Sequence, residues 1–348
     1  MTFVCENIKC YSEYKNIEGI SRYMRRKKMF DVVALGEILI DFTPCGTSEA
    51  GQRVFEQNPG GAPANVLACL SKCKKNTAFI GKVGKDMHGI FLKEVLEQNN
   101  ICSQGVVEDE NVFTTLAFVA LADNGERSFS FARKPGADTC ITQEELKVDI
   151  IKDSKIFHIG SLSLTAEPAK GTTFKALEIA QKEGCIVSYD PNYRAPLWNS
   201  QKEAIDGMRS VIPFVDVMKI SDEETELLTD CVEPEEAAGK LIEQGVSIVA
   251  VTLGSKGALI CTKEGNVLVP GYKANLVDST GAGDSFWGGF LNKLLDSEKK
   301  PCELTLDELE QFAKFGNAVA SLCVEKRGAI PAMPTLEEIE GRIKNGTN

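Results

Sequence analysis

The chain of 348 residues sets 50 Asp and Glu against 39 Lys and Arg, a net charge of −11. That balance excludes a general affinity for nucleic acid or for an anionic membrane, and no apolar run is long enough to span a bilayer. The 12 cysteines are scattered with no C-x-x-C pair, and Cys69 and Cys73 lie one helical turn apart, so neither zinc nor a disulfide framework is indicated and a reduced, cytoplasmic setting fits.

Residues 1-28 stand apart. They carry Tyr11, Tyr14 and a basic cluster from Arg22 to Lys28 without the apolar segment of a signal peptide, and read as a poorly ordered extension, with a targeting or docking element as the alternative. Phe30 to Gly36 is a short apolar run closed by glycine, the pattern of a buried strand. Glu37 to Phe42 follows with partial alternation and puts Asp41 at the mouth of that strand, either a ligand contact or a surface turn residue. Asn58-Pro59-Gly60-Gly61-Ala62-Pro63-Ala64-Asn65 is a glycine turn entering a helix. Paired glycines let backbone approach a ligand, and Asn65 can donate and accept at once, which suits a polyhydroxyl substrate. A plain loop into a core helix is the alternative. Phe79 to Gly84 reads as a strand and Gly89 to Gln98 as a helix.

From Val112 the period changes. Phe113 to Leu121, the triplet Asp123-Asn124-Gly125, and Arg127 to Phe131 read as a two-faced hairpin, a candidate lid or dimer surface, with Arg133 at its end in reach of a substrate. Beyond Thr142, strands and helices alternate: strands at Lys155 to Gly160, Cys185 to Tyr189, Val215 to Ile220 and Ile248 to Leu253, a helix from Pro168 to Glu183, and a hairpin-like segment from Ala258 to Val269. Ser221 with Glu224 reads as a capping box for a helix through Leu228. A helix from Leu309 to Cys323 contains Asn317. This rhythm calls for an α/β fold, a largely parallel sheet with helices on both faces and polar groups gathered where strands end.

The stretch Asp278-Ser279-Thr280-Gly281-Ala282-Gly283-Asp284 is a small-residue turn feeding an apolar helix through Phe286, Trp287 and Phe290. Amides at such a helix start form an anion site. A carboxylate beside them, Asp284, would oppose an anion unless it accepts a proton from an attacking hydroxyl; otherwise it is an ordinary cap. No G-x-x-x-x-G-K-[ST] occurs, which excludes a P-loop enzyme, and the turn lacks the third glycine of a dinucleotide fingerprint.

Gly60 to Asn65 and Asp278 to Asp284 together resemble the two signatures of the ribokinase-like sugar kinases, the phosphofructokinase-B family, over essentially Met29 to Leu336. Gly36 to Phe42, Asp190-Pro191-Asn192-Tyr193-Arg194 and Lys219 to Glu224 are most similar to its fructokinase branch. The resemblance implies a kinase domain over 29-345, a central mostly parallel sheet, and a small β lid from about 38-56 and 111-134. It also implies ATP as donor, Mg2+, in many members K+, and a homodimer formed through the lid. By the same resemblance Asp284 would be the general base, with Gly281, Ala282 and Gly283 holding the γ-phosphate. Asp41, Gly60, Gly61 and Asn65 would hold sugar hydroxyls, with Arg133 and Arg194 in reach of the substrate. Asn192, Lys219, Ser221, Glu224, Thr252, Gly254 and Gly257 would line the nucleotide, with Asn317 near adenine and Glu224 acting on Mg2+ through water. Asp278, Thr280 and the carbonyls of Val324, Arg327 and Gly328 would be the K+ ligands. Many relatives carry Asn where Ser221 stands. The implied reaction is D-fructose to fructose 6-phosphate. A 2-keto-3-deoxygluconate kinase, its carboxylate paired by Arg133 and Arg194, and a non-catalytic sugar or nucleotide sensor are the alternatives.

Overall fold

The computed structural model describes residues 28–121 and 127–346. The Asp123-Asn124-Gly125 turn and the extension, Lys28 excepted, lie outside the described residues. Strands run in order β1 (Phe30–Leu35), β2 (Leu39–Thr47), β3 (Arg53–Gly60), β4 (Thr77–Gly84), β5 (Ile101–Asp109), β6 (Leu116–Leu121), β7 (Arg127–Ala132), β8 (Ser154–Ile159), β9 (Ile186–Tyr189), β10 (Val217–Ser221), β11 (Ile248–Thr252), β12 (Ala258–Thr262) and β13 (Gly265–Val269). The helices are α1 (Ala62–Lys72), α2 (Met87–Gln98), α3 (Val148–Lys152), α4 (Ala169–Lys182), α5 (Gln201–Ser210), α6 (Thr225–Thr229), α7 (Pro234–Glu243), α8 (Ala282–Ser297), α9 (Leu306–Cys323) and α10 (Leu336–Asn345).

Among the described residues the central sheet has nine strands in the order β13-β12-β11-β10-β9-β8-β1-β4-β5. It is parallel from β11 to β5, and β12 and β13 return antiparallel. The apolar run of β1 explains its central place. Val32 and Ala34 face the core built with α1, α8 and α9, while Val33 and Leu35 face the core built with α4, α5 and α7. A strand buried on both faces has no polar side to alternate with, which is why it reads as a continuous run. The parallel strands also align their C-terminal ends, so Asp190, Ser221 and Thr252 emerge along one edge.

A second sheet, ordered β3-β2-β6-β7, stands over that edge. β2 runs parallel to β6 through Ile40↔Leu116, Asp41↔Ala117 and Phe42↔Phe118, and antiparallel to β3. The side-chain period of two divides its faces. Leu39 and Asp41 line the cleft beneath, and Phe42 stacks on Phe118 at 5.2 Å with Phe55 edge-on at 6.3 Å.

Three readings change. The edge strand β5 is absent from the sequence reading because it is only half buried and carries Gly105 and several polar residues. Helices α5 and α7 are additions to the expected elements; α5 is a mostly polar ten-residue helix that buries Ala204, Gly207 and Met208. The capping box is displaced. Glu224 does reach back to the Ser221 N–H (2.8 Å), but Glu224 itself is the cap and the helix begins at Thr225.

Candidate active site

The start of α8 is shaped by Asp278. Its Oδ1 accepts from the Thr280 N–H (2.9 Å) and hydroxyl (2.7 Å), and its Oδ2 accepts from the Gly328 N–H at 3.1 Å. This ties the turn to the loop after α9. Gly281 adopts φ 77°, and a Cβ there would lie 2.7 Å from the Ala329 side chain, so only glycine fits. The N–H of Ala282 turns back to the Ser279 carbonyl at 3.2 Å, which leaves Gly281 and Gly283 to carry the anion-hole reading. A Cβ on Gly283 would lie 2.8 Å from the Lys219 ammonium, so this cation passes directly over the helix start.

Asp284 is buried one residue further on. The Asn65 side-chain N–H donates to its Oδ2 at 2.7 Å, and that of Asn192 to its Oδ1 at 3.3 Å. Burial pushes the Asp284 carboxyl above its usual range, opposed by the Asn65 hydrogen bond and by Lys219 and Arg194. Lys219 pairs with Asp190 at 3.0 Å. Burial is the largest influence on Lys219 and pulls it down, yet Asp190, Glu224 and Asp284 together hold it above the usual lysine range, so it stays a cation. Burial pushes Asp190 up to about 7 against the pull of Lys219.

Across the cleft, the Glu37 Oε1 accepts from the Ala62 N–H at 3.0 Å and anchors the start of α1. Gly61, at φ 116°, sits where a Cβ would strike the Glu37 carbonyl, and a Cβ on Gly60 would overlap the Asp41 carboxylate. The glycine pair therefore makes room for Asp41 against the backbone. Burial pushes Asp41 up to about 6, with Arg194 opposing and Asp278 and Asp284 adding to the rise. Glu224 accepts from the Tyr193 N–H (2.7 Å) and the Ser221 N–H (2.8 Å), so it locks two strand ends together while lining the cleft. The cleft is about 520 Å³. Asp41, Gly61, Asn65, Asn192, Arg194, Lys219, Ser221, Glu224, Thr252, Gly254, Thr280, Gly281, Ala282, Gly283 and Asp284 all line it.

Other expected residues lie elsewhere. Arg133 is buried and committed: its guanidinium donates to Asp138 (2.6 and 2.8 Å), Thr165 (2.8 Å) and the Leu162 carbonyl (2.8 Å), and it is not part of the cleft lining. Asn317 donates to the Val269 and Pro270 carbonyls at 3.1 and 3.0 Å, a tie between α9 and the end of β13 rather than a cleft contact. Gly257, at φ 104°, closes a turn against the Val269 carbonyl and does not line the cleft. The Val324 carbonyl accepts from Val277 N–H (2.8 Å) and Asp278 N–H (3.1 Å), and the Arg327 side chain points to Glu56 at 3.8 Å. Asp278, Thr280 and Gly328 share a small neighbouring pocket with Asp41. Among the described residues no three His, Cys, Asp or Glu side chains converge as a metal cluster. Asp190 and Glu37 join the expected residues at the cleft, Glu37 in its lining and Asp190 paired to Lys219. Both follow a buried strand, a position that signals the site without saying which side chain turns inward.

The model described as pfkB family carbohydrate kinase matches residues 29–336. A probable fructokinase-5 from Arabidopsis thaliana is 41% identical over 323 residues, covering 90% of this chain and 97% of that protein. The crystal structure of fructokinase with bound ATP from Xylella fastidiosa superposes with a TM-score of 0.83 at 31% identity, covering 92% of this chain and 99% of that one. A double-mutant fructokinase from Vibrio cholerae O395, in fructose, ADP and potassium ion bound form, gives a TM-score of 0.81 at 30% identity over 91% and 99%. The family match spans most of the chain, and these relatives are covered almost end to end at 30% identity or more; the chain belongs to the pfkB family of carbohydrate kinases.

Proposed function

We propose that the protein transfers the γ-phosphoryl group of ATP to the C6 hydroxyl of D-fructose. The observation that carries this reading is the placement of the buried Asp284 at the start of α8, between the Gly281-Gly283 turn and the sugar-side residues Asp41 and Asn65. Asp284 takes the hydroxyl proton; the sugar oxygen forms its bond to phosphorus as the bridging oxygen–phosphorus bond breaks and ADP leaves. Amides of Gly281 and Gly283, with the Lys219 ammonium above them, offset the charge on the equatorial phosphoryl oxygens. Asp41 accepts sugar hydroxyls. The lid sheet excludes water, which would otherwise compete as acceptor. Thr252 and Gly254 border the nucleotide side.

Magnesium fits the cleft. A small hard cation keeps most of its waters and needs only one or two carboxylates beside the phosphates, and the Glu224 carboxylate lines the cleft with lone pairs left after its backbone bonds. When bound, magnesium draws charge from the phosphate oxygens. Potassium fits the Asp278 carboxylate and the backbone of Thr280 and Gly328, while the Val324 carbonyl is already taken by two amides.

Fructose is favoured over a sugar acid by the commitment of Arg133 to Asp138. Among the described residues Arg194 is then the one arginine lining the cleft, so a substrate carboxylate would have one guanidinium where the acid reading called for two. The kinase domain extends over 29-345, two copies associate through the Phe42, Phe55 and Phe118 face of the lid, and the scattered thiols suit the cytoplasm. A panel of ketohexoses, aldohexoses and 2-keto-3-deoxygluconate, with ADP release as readout, tests the substrate. Fructose is expected to give the highest kcat/KM; preference for the acid would overturn it, and its loss in Arg194→Ala would assign the carboxylate contact to that residue.

A further inference from the structure

Asp284 is held by amides from two unrelated elements. Asn65 comes from α1 and donates to Oδ2 at 2.7 Å; Asn192 comes from the loop after β9 and donates to Oδ1 at 3.3 Å. An ionised carboxylate only accepts, so each carboxamide must turn its nitrogen toward Asp284. In Asn65 this leaves the Oδ1 buried with no partner, on a residue that lines the cleft. An orphaned buried acceptor costs free energy until a donor arrives, and a sugar hydroxyl is a donor. Asn192 holds φ 47°, a left-handed conformation that asparagine tolerates and that fixes where its amide points.

We propose that Asn65 and Asn192 form a two-sided amide clamp that orients Asp284 and keeps it ionised, with Asn65 linking sugar binding to the base through its free carbonyl oxygen. Both are positioning residues, and the inference rests on Asp284 being the base. Two amide donors favour the carboxylate over the acid, against the burial that favours the acid. The charged and titratable groups facing Asp284 are Lys219 from β10, Asp41 from β2, Cys323 from α9, Glu224 ahead of α6, and Asp190 and Arg194 from the loop after β9. None of these is changed by the test variants.

The test is the pH profile of kcat with saturating ATP and fructose for Asn192→Ala and Asn65→Asp. Asn65→Asp keeps an acceptor for the sugar but removes the donor to Asp284. The acidic limb is expected to move up by about one pH unit in Asn192→Ala and further in Asn65→Asp, where two carboxylates compete. In Asn65→Asp the KM for fructose is expected to change less than kcat at neutral pH. Wild-type limbs in both folded variants, alongside an inactive Asp284→Ala, would overturn the clamp and leave the base assignment standing. Near-normal turnover in a folded Asp284→Ala would overturn the base assignment itself.

Discussion

Two carboxylates facing the cleft, Asp41 half-buried and Glu37 buried, have protonation tied to different functions. Burial raises Asp41 from 3.8 to about 6. Its ionised form accepts sugar hydroxyls through both oxygens and more strongly than the acid does, so KM for fructose should climb as pH falls through about 6, while Asp41→Asn should be flat in pH. Glu37 is raised from 4.5 to about 7, again chiefly by burial, and its Oε2 is buried without a partner. A folded-state pKa raised in this way contributes stability that is fully present below the unfolded value of 4.5 and is lost as pH rises through about 7. Glu37→Gln should therefore melt above the wild type at pH 8, by on the order of 2 kcal/mol, and lose that advantage near pH 4. An unchanged difference across that range would mean the carboxyl carries no such burden. Asp41 was legible from its place at a strand mouth. Glu37 was not, because the same tripeptide exit would read identically with the side chain turned to solvent.

At the scale of elements, glycines decide how closely helices approach the site. By propensity alone Gly288→Ala in the interior of α8 should stabilise by about 1 kcal/mol. Its Cβ would instead fall 2.7 Å from the Cys69 Cβ of α1 and 3.1 Å from the Val66 carbonyl. Overpacking of that kind costs about 1–3 kcal/mol, so the substitution should lower Tm. Gly281→Ala meets both a left-handed φ and Ala329, and moves the turn proposed to receive the phosphoryl group. Its turnover should fall about a hundredfold with a smaller change in the KM for fructose, a split read by steady-state kinetics. The two glycine turns were legible because small residues preceding an apolar helical stripe have few other uses. The fate of Arg133 was not. A hairpin's end residue can turn to the cleft or to the domain beneath, and the partner that settles it, Asp138, lies in a short 3-10 turn with no periodicity. The alternation of buried runs and helices exposed the parallel sheet, whereas half-buried β5, with Gly105 and several polar residues, yielded too little contrast.

For the whole molecule, the lid has two faces with different tasks. One side carries Asp41 over the cleft, and the other exposes Phe55 and Phe118, 37% and 39% accessible, beside Phe42. If that aromatic face joins two copies, Phe118→Glu should convert the dimer to a monomer in sedimentation velocity and loosen the lid, raising KM for fructose. An unaltered sedimentation coefficient would place the contact elsewhere. The net charge of −11 extends into the cleft, where Lys219 and Arg194 stand among Glu37, Asp41, Asp222, Glu223, Glu224 and Asp284, so a polyphosphate there needs its divalent cation. The central claim joins these scales: an acid at the start of α8 readies a sugar hydroxyl beside amides that receive the phosphoryl group. Its most direct test is kcat for fructose phosphorylation by ATP in Asp284→Ala, measured against wild type with the fold checked by circular dichroism. A loss of at least about a hundredfold with nucleotide binding retained is the expected result; turnover near wild type in the folded variant would contradict it.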